Sequence, residues 1–240
     1  MWVLIILVLF LIMKRTTFMC LWAKIKYNKG DIDGAESIYE RVSKKHTPSA
    51  DNQLMYGYIL LRKGKIERAR KVLTIESMSK GKPLVKARIK AMLALVTWKE
   101  GDIDTAIEML EEVIAEFKNT AIYQDLGLLY ILKGDKEKAL NFNKEAYEFN
   151  SDDHVIMDNL AEAYALCEEN EKSREIYEQL IEKEPRFAEA YWGYGELLIK
   201  LGEKEKGLEF IRQSLNKRIS YLSILQREDI EKLIKKYEEK

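Results

Sequence analysis

The sequence predicts an all-α protein built as a stack of about six helical hairpins. Three observations carry this expectation. A short phrase returns along the chain at a nearly fixed step. Of the 240 residues, 47% are hydrophobic and 33% charged, enough apolar material for a core and enough charge for solvated helix faces. Only three prolines occur and no Gly/Ser-rich linker, so the chain reads as continuous helix and turn rather than as globules on strings.

The recurring phrase opens with Gly and reaches a small residue just before an apolar run. It reads GDIDGA at Gly30–Ala35, GKIERA at Gly64–Ala69, GDIDTA at Gly101–Ala106, GDKEKA at Gly134–Ala139 and GEKEKG at Gly202–Gly207. A degenerate copy, EENEKS, occupies Glu168–Ser173. The small residues stand at 35, 69, 106, 139, 173 and 207, giving steps of 34, 37, 33, 34 and 34. That period is the length of a helix–turn–helix repeat.

Each position in the phrase has a physical reason. Gly ends the first helix of a hairpin in a left-handed conformation that other residues resist. Asp31, Asp102 and Asp135 stand where a side chain caps the second helix. Acidic residues in the following turn suit the positive helix end. The small residue then lets the two helices approach closely. One hairpin cannot bury its apolar face alone, so neighbours must stack.

The segment AEAYWGYGELLIKLGEKEKGLEFIRQSL, Ala188–Leu215, resembles the tetratricopeptide repeat consensus. The fourth copy carries the same pattern in Tyr123, Leu126, Gly127, Tyr130, Gly134, Asp135, Ala139 and Ala146. The fifth carries it in Met157, Leu160, Ala161, Tyr164, Ser173, Tyr177, Leu180 and Pro185. By register the repeats begin near Thr16, Ala50, Ala87, Thr120, His154 and Ala188, so the resemblance covers Thr16 to Lys217. The first three copies depart more. Lys26 stands where an aromatic is expected, and the second copy has extra residues around Ser77–Pro83. The resemblance implies a right-handed superhelical solenoid of six repeats over residues 16–219.

Ahead of the array, Met1 to Met13 reads MWVLIILVLFLIM without a polar residue. Thirteen helical residues reach only ~20 Å, short of a ~30 Å hydrocarbon core. A helix continuing to Ala23 would span it, with Lys14 and Arg15 snorkelling and Trp2 and Trp22 near the two interfaces. We therefore expect a membrane anchor at residues 1–15, extending to about 23, in contact with the lipid bilayer. The alternatives are a signal-peptide core and an apolar first helix that closes the array. Lys14, Arg15, Lys24, Lys26 and Lys29 all precede the first acid, Asp31, which predicts repeats facing the cytoplasm. An exported, outward-facing protein is the competing reading.

At the other end, residues 220–240 are expected to close the array with a capping helix. Ile230, Leu233, Ile234 and Tyr237 form one apolar stripe over Ser223–Glu239, and Ser223 and Gln226 have capping-box spacing.

The resemblance also implies a concave groove lined mainly by first helices. Carrying the family's groove positions over by register selects Leu54, Tyr58, Ala91, Leu95, Trp98, Gln124, Leu128 and Ile131, then Asp158, Glu162, Trp192 and Glu196. This describes an apolar trough with an acidic end. Its complement is a protein or peptide ligand with apolar anchors and basic residues. Trp98 and Trp192 are the candidate anchors if exposed, and hairpin core if not. The slots Leu54, Met55, Tyr58 and Gln124, Asp125, Leu128 lack the Lys and Asn with which some members clamp a carboxylate.

Other function classes find little support. Forty basic residues balance forty acidic ones, so no basic excess points to nucleic acid. Cys20 and Cys167 are far apart, and His46 and His154 have no ligand-spaced neighbours, so neither a disulfide framework nor a metal site is expected. No Gly-rich phosphate loop, G-x-S-x-G or H-E-x-x-H occurs. Carboxylate pairs such as Glu111-Glu112 read as solvated helix faces. The expectation is a scaffold with no cofactor and no catalytic residue, a membrane-tethered adaptor for protein–protein interaction; the resemblance to anchored repeat proteins alone implies a place in assembling or regulating envelope complexes.

Overall fold

The computed structural model describes the backbone of residues 2–45, 49–77 and 83–238, and the side chains of residues 15–45, 49–74 and 83–237. Among the described residues there are thirteen α-helices and no strand; the one extended pairing is an isolated bridge between Phe187 and Arg218. The chain divides into two units, residues 1–96 and 97–240.

The first unit holds α1 (Trp2–Asn28), α2 (Ile32–Ser43), α3 (Ala50–Arg62), α4 (Ile66–Ser77) and most of α5 (Pro83–Lys99). Within it α1 packs on α2, α2 on α3 and α3 on α4. The second unit holds α6 (Ile103–Glu116), α7 (Thr120–Lys133), α8 (Lys136–Phe149), α9 (His154–Leu166), α10 (Asn170–Glu182), α11 (Ala188–Lys200), α12 (Lys204–Ser214) and α13 (Arg227–Glu238). Each packs on the next from α6 to α12, and α13 packs on α12. The first helices α7, α9 and α11 also touch one another in sequence, as stacked hairpins require.

The turn chemistry follows the repeating phrase. Gly30, Gly64, Gly101, Gly134 and Gly202 all have left-handed φ, between +70° and +102°. In the degenerate copy Glu168 takes the same role at φ +64°, a conformation that costs a side-chain-bearing residue about 1 kcal/mol. Asp31, Asp102 and Asp135 cap α2, α6 and α8, accepting from the backbone N–H of Gly34, Thr105 and Lys138. The small residues Ala35, Ala69, Ala106, Ala139 and Ser173 are fully buried at the hairpin crossings. At Gly207 the approach is closer still: a Cβ there would lie 2.6 Å from the Gly195 carbonyl oxygen. The small residue therefore does set how near α12 comes to α11.

The aromatic positions of the repeats build the core. Tyr123, Tyr130, Tyr177, Tyr191 and Tyr194 are buried, and Tyr177 stacks on Tyr194 with ring centroids 5.7 Å apart. Met157, Ala161, Leu180, Leu197 and Leu198 complete that cluster.

Three regions differ from expectation or escape it. α1 is one unbroken helix whose second half buries Cys20 and Ala23, so the first repeat continues directly from the apolar segment. Most of the expected anchor, residues 1–14, lies outside the residues with described side chains, and among the described residues no helix is long and apolar enough to cross a membrane. The extra residues of the second copy, 78–82, also lie outside the described residues, and α5 begins at Pro83, ahead of Ala87.

The closing helix likewise starts late. α13 begins at Arg227, and Ser223 does not cap it: the Ser223 hydroxyl donates to the Glu189 carboxylate and accepts from the Leu225 N–H at 3.0 Å. The capping-box spacing was real, but a tertiary carboxylate took the serine. Ile230 is fully buried, and Leu233, Ile234 and Tyr237 are half-buried along the expected stripe.

Candidate functional site

The residues selected for the groove fall on first helices, in two sets that belong to different units. In the first unit Leu54 and Tyr58 lie on α3, and Ala91 and Leu95 on α5. Leu54 is 4% exposed and Leu95 7%, so both serve the interior and offer a partner little surface. Tyr58 and Ala91 are half-buried. Tyr58 meets Tyr27 of α1 edge to face at 6.2 Å, and the Arg62 guanidinium lies 5.8 Å from its ring while donating to the Tyr27 hydroxyl at 2.7 Å. The usable surface there is thus an aromatic pair carrying a cation. Sequence reasoning missed Tyr27 and Arg62, because their partnership crosses from one hairpin to the next.

In the second unit Trp98, Gln124, Leu128, Glu162 and Trp192 are half-buried, and Glu196 is exposed. Ile131, at 7% exposure, and Asp158, at 5%, are buried. Both Trp98 and Trp192 retain accessible surface. Gln124 is held by Asp153, the N-cap of α9, to which its amide donates at 2.7 Å. Its backbone carbonyl accepts from Asn159 at 2.8 Å.

Four of the selected residues meet at one cavity. Ile131 of α7, Glu162 of α9, and Trp192 and Glu196 of α11 line a space of about 370 Å³ with Tyr177, Glu189 and Lys200. Glu189 occupies the second position of the sixth repeat, so the register rule reaches it once applied to every position. Nothing in the repeat pattern predicts the remaining wall, Ile224 and Leu225, from the non-helical segment between α12 and α13.

That segment crosses the first-helix face as a strap. Besides the Ser223–Glu189 hydrogen bond, the Lys99 ammonium donates to the Ser223 carbonyl at 3.2 Å. Lys99 also lies 4.0 Å from the Trp98 ring centroid and 5.5 Å from that of Tyr221. Burial pushes the Lys99 ammonium below its ordinary value, with the Glu189 charge opposing.

The acidic end is more enclosed than the sequence suggests. Burial raises the Asp158 carboxyl well above the usual carboxylate range, and the charges of Glu162 and Glu189 add to it. Burial likewise pushes Glu162 to about 7, helped by Glu196 and Glu189. Desolvation raises Glu196 too, against the hydrogen bond from the Trp192 indole. No group of His, Cys, Asp or Glu among the described residues is arranged to hold a metal ion.

Comparison with known proteins places these features in a family. A tetratricopeptide repeat model matches residues 20–75, 91–154 and 167–220, more than half of the chain. The chain belongs to the tetratricopeptide repeat family. The repeat fold is typically a non-enzymatic scaffold for protein–protein interaction. No curated protein matches the sequence. Among solved structures, a thermophilic tetratricopeptide repeat protein from Thermus thermophilus is 19% identical with a TM-score of 0.66, the match covering 80% of this chain and 100% of that one. The PilF protein of Pseudomonas aeruginosa is 12% identical, with a TM-score of 0.63 over 82% of this chain and 89% of its own. The Cut9–Hcn1 hetero-tetramer of the APC/C gives a TM-score of 0.74 at 14% identity, over 92% of this chain but 42% of that one. At these identities the likeness is one of fold.

Proposed function

We propose that this tetratricopeptide repeat protein is a membrane-tethered adaptor that recruits a protein partner through its first-helix faces. The observation that carries the reading is the cavity lined by Ile131, Glu162, Trp192 and Glu196, which unites an accessible aromatic with a run of carboxylates on first helices. Trp98 and Tyr58 add accessible aromatic surface, and such residues dominate binding energy when a partner covers them. Apolar anchors flanked by basic residues complement this chemistry. Cut9–Hcn1, one of the structural likenesses, is itself an assembly of different chains.

Tethering rests on the sequence of residues 1–23, and the cytoplasmic orientation on the basic residues that follow the apolar run. Envelope assembly or its regulation is the setting such an adaptor would serve. The exported reading stays in play through the same apolar segment, and reporter fusions at the C-terminus separate the two: activity of a periplasm-dependent reporter alone would refute the cytoplasmic orientation.

The partner reading is tested by crosslinking and pull-down from native membranes with wild type, Tyr58→Ala and Trp98→Ala. Partner recovery should fall in the variants while far-UV circular dichroism is unchanged. Equal recovery in folded variants overturns the assignment of these faces.

A further inference from the structure

The cavity between α9 and α11 gathers three carboxyl groups, and among the described residues no cation acts on Glu162 or Glu196. Glu162, Glu189 and Glu196 line it. Asp158 stands one helical turn ahead of the cavity wall residue Glu162 on α9 and is buried. Asp158 Oδ1 is buried without a hydrogen-bond partner. Buried carboxylates in folded proteins are normally paired or hydrogen-bonded.

Two lysines stand nearby, and neither is among the charges that act on Asp158, Glu162 or Glu196; Lys99 feels the Glu189 charge. The Lys200 ammonium donates to Asn170 Oδ1 at 3.1 Å. Lys99 holds the strap through the Ser223 carbonyl. The charges that act on Asp158 and Glu162 are all carboxylates.

The shape of the cavity narrows the class of ligand. Its ~370 Å³ is at the small end of the 300–1,000 Å³ usual for ligand pockets, so it suits one side chain and not a folded element. No group of carboxylates among the described residues is arranged to hold a metal ion. A cation on a long aliphatic stem meets separated carboxylates more readily, and the Trp192 ring offers the stem an apolar wall. The strap shows in addition that this face already holds non-helical chain, gripped at a backbone carbonyl by Lys99 and at a hydroxyl by Glu189.

We propose that this cavity receives an arginine or lysine side chain from an extended segment of the partner, with Glu162, Glu189 and Glu196 taking its charge and Trp192 and Ile224 taking its stem. The segment runs beside the strap, and the arriving cation supplies the compensation that Asp158 and Glu162 lack. This rests on the first-helix faces being the partner surface, and it names the chemistry of one subsite within them.

The test uses the full chain and N-acetyl-arginine amide as the probe, with N-acetyl-citrulline amide as its uncharged isostere. The readout is the Trp192 indole N–H resonance, assigned through Trp192→Phe. The arginine probe should shift that resonance saturably and the citrulline probe should not. The Glu162→Gln/Glu196→Gln double variant, shown folded by circular dichroism, should weaken binding by roughly tenfold or more. Equal response to citrulline, an unchanged affinity in the double variant, or displacement of the probe by equimolar magnesium would each overturn the proposal. A silent Trp192 together with partner loss in Trp98→Ala would overturn this inference and leave the adaptor reading standing.

Discussion

Each unit contains a buried carboxylate on a repeat helix, and the two are treated in opposite ways. Glu36 of α2 is 5% exposed and sits within three cations: Lys63 at 2.6 Å, Lys65, and Arg68 at 3.3 Å. Burial alone would raise its carboxyl, but the hydrogen bonds from Lys63 and Lys65 outweigh that and hold it below the ordinary value. Asp158 of α9 is equally buried, yet its neighbours are Glu162 and Glu189, and its carboxyl is pushed up. Glu36 closes a joint, since Lys63 and Lys65 follow α3 and Arg68 lies on α4 while Glu36 lies on α2. Asp158 closes no joint among the described residues. Charge compensated inside the fold is architecture; charge left open beside an accessible Trp is what a partner can use.

The largest expected effect comes from breaking the compensated site. Glu36→Gln strands three partly exposed cations and should cost about 2–3 kcal/mol of stability, less than a fully buried pair because solvent still reaches the cations. Asp158→Asn replaces a carboxyl on which no cation acts among the described residues and should change stability by about 0.5 kcal/mol or less, or raise it. Urea unfolding at neutral pH, followed by circular dichroism, measures both. Equal losses would erase the distinction between the two sites.

The pH dependence sharpens the same contrast, because the signs oppose. A lowered folded-state pKa at Glu36 stabilises above the unfolded carboxylate range, and that contribution is lost as pH falls through the folded value. Glu162, raised from 4.5 to about 7, binds its proton more tightly folded than unfolded. Its contribution is fully present below about 4.5 and disappears as pH climbs to about 7, amounting to at most about 3 kcal/mol. In a Trp2→Phe/Trp22→Phe background, tryptophan fluorescence reports only Trp98 and Trp192 of the second unit, where stability should fall over that window. In Glu162→Gln the fall should shrink.

A smaller effect separates the stability of the second unit from its charge. Glu168 stands in the left-handed conformation that the other copies give to Gly. Glu168→Gly should stabilise by about 1 kcal/mol, seen as a higher urea midpoint, while leaving probe binding at Trp192 unchanged. Weaker binding in that variant would mean that the α9–α10 turn also tunes the acidic face.

Much of this was legible in the residues. The 34-residue step located the turns, and the capping aspartates and small crossing residues had the roles their chemistry dictates. The groove was legible only as a register. Ile131, Glu162, Trp192 and Glu196 line the cavity, but Leu54, Leu95 and Asp158, chosen by the same rule, are buried away from its walls. A periodic rule gives the face of a helix, whereas burial depends on the size of side chains arriving from other hairpins.

By itself, the sequence determined the local items: where helices stop, which side chains cap them, and which residues are small enough for helices to cross. These are interactions within one turn of the chain, so spacing alone encodes them. Tertiary structure decided what depends on distant partners. It gave Ser223 to Glu189 instead of to α13, laid the 220–226 strap across first helices more than twenty residues earlier in the chain, and left Asp158 among carboxylates while Glu36 found three cations. A charge acts on whatever the fold brings within a few ångströms, and a one-dimensional pattern does not carry that distance.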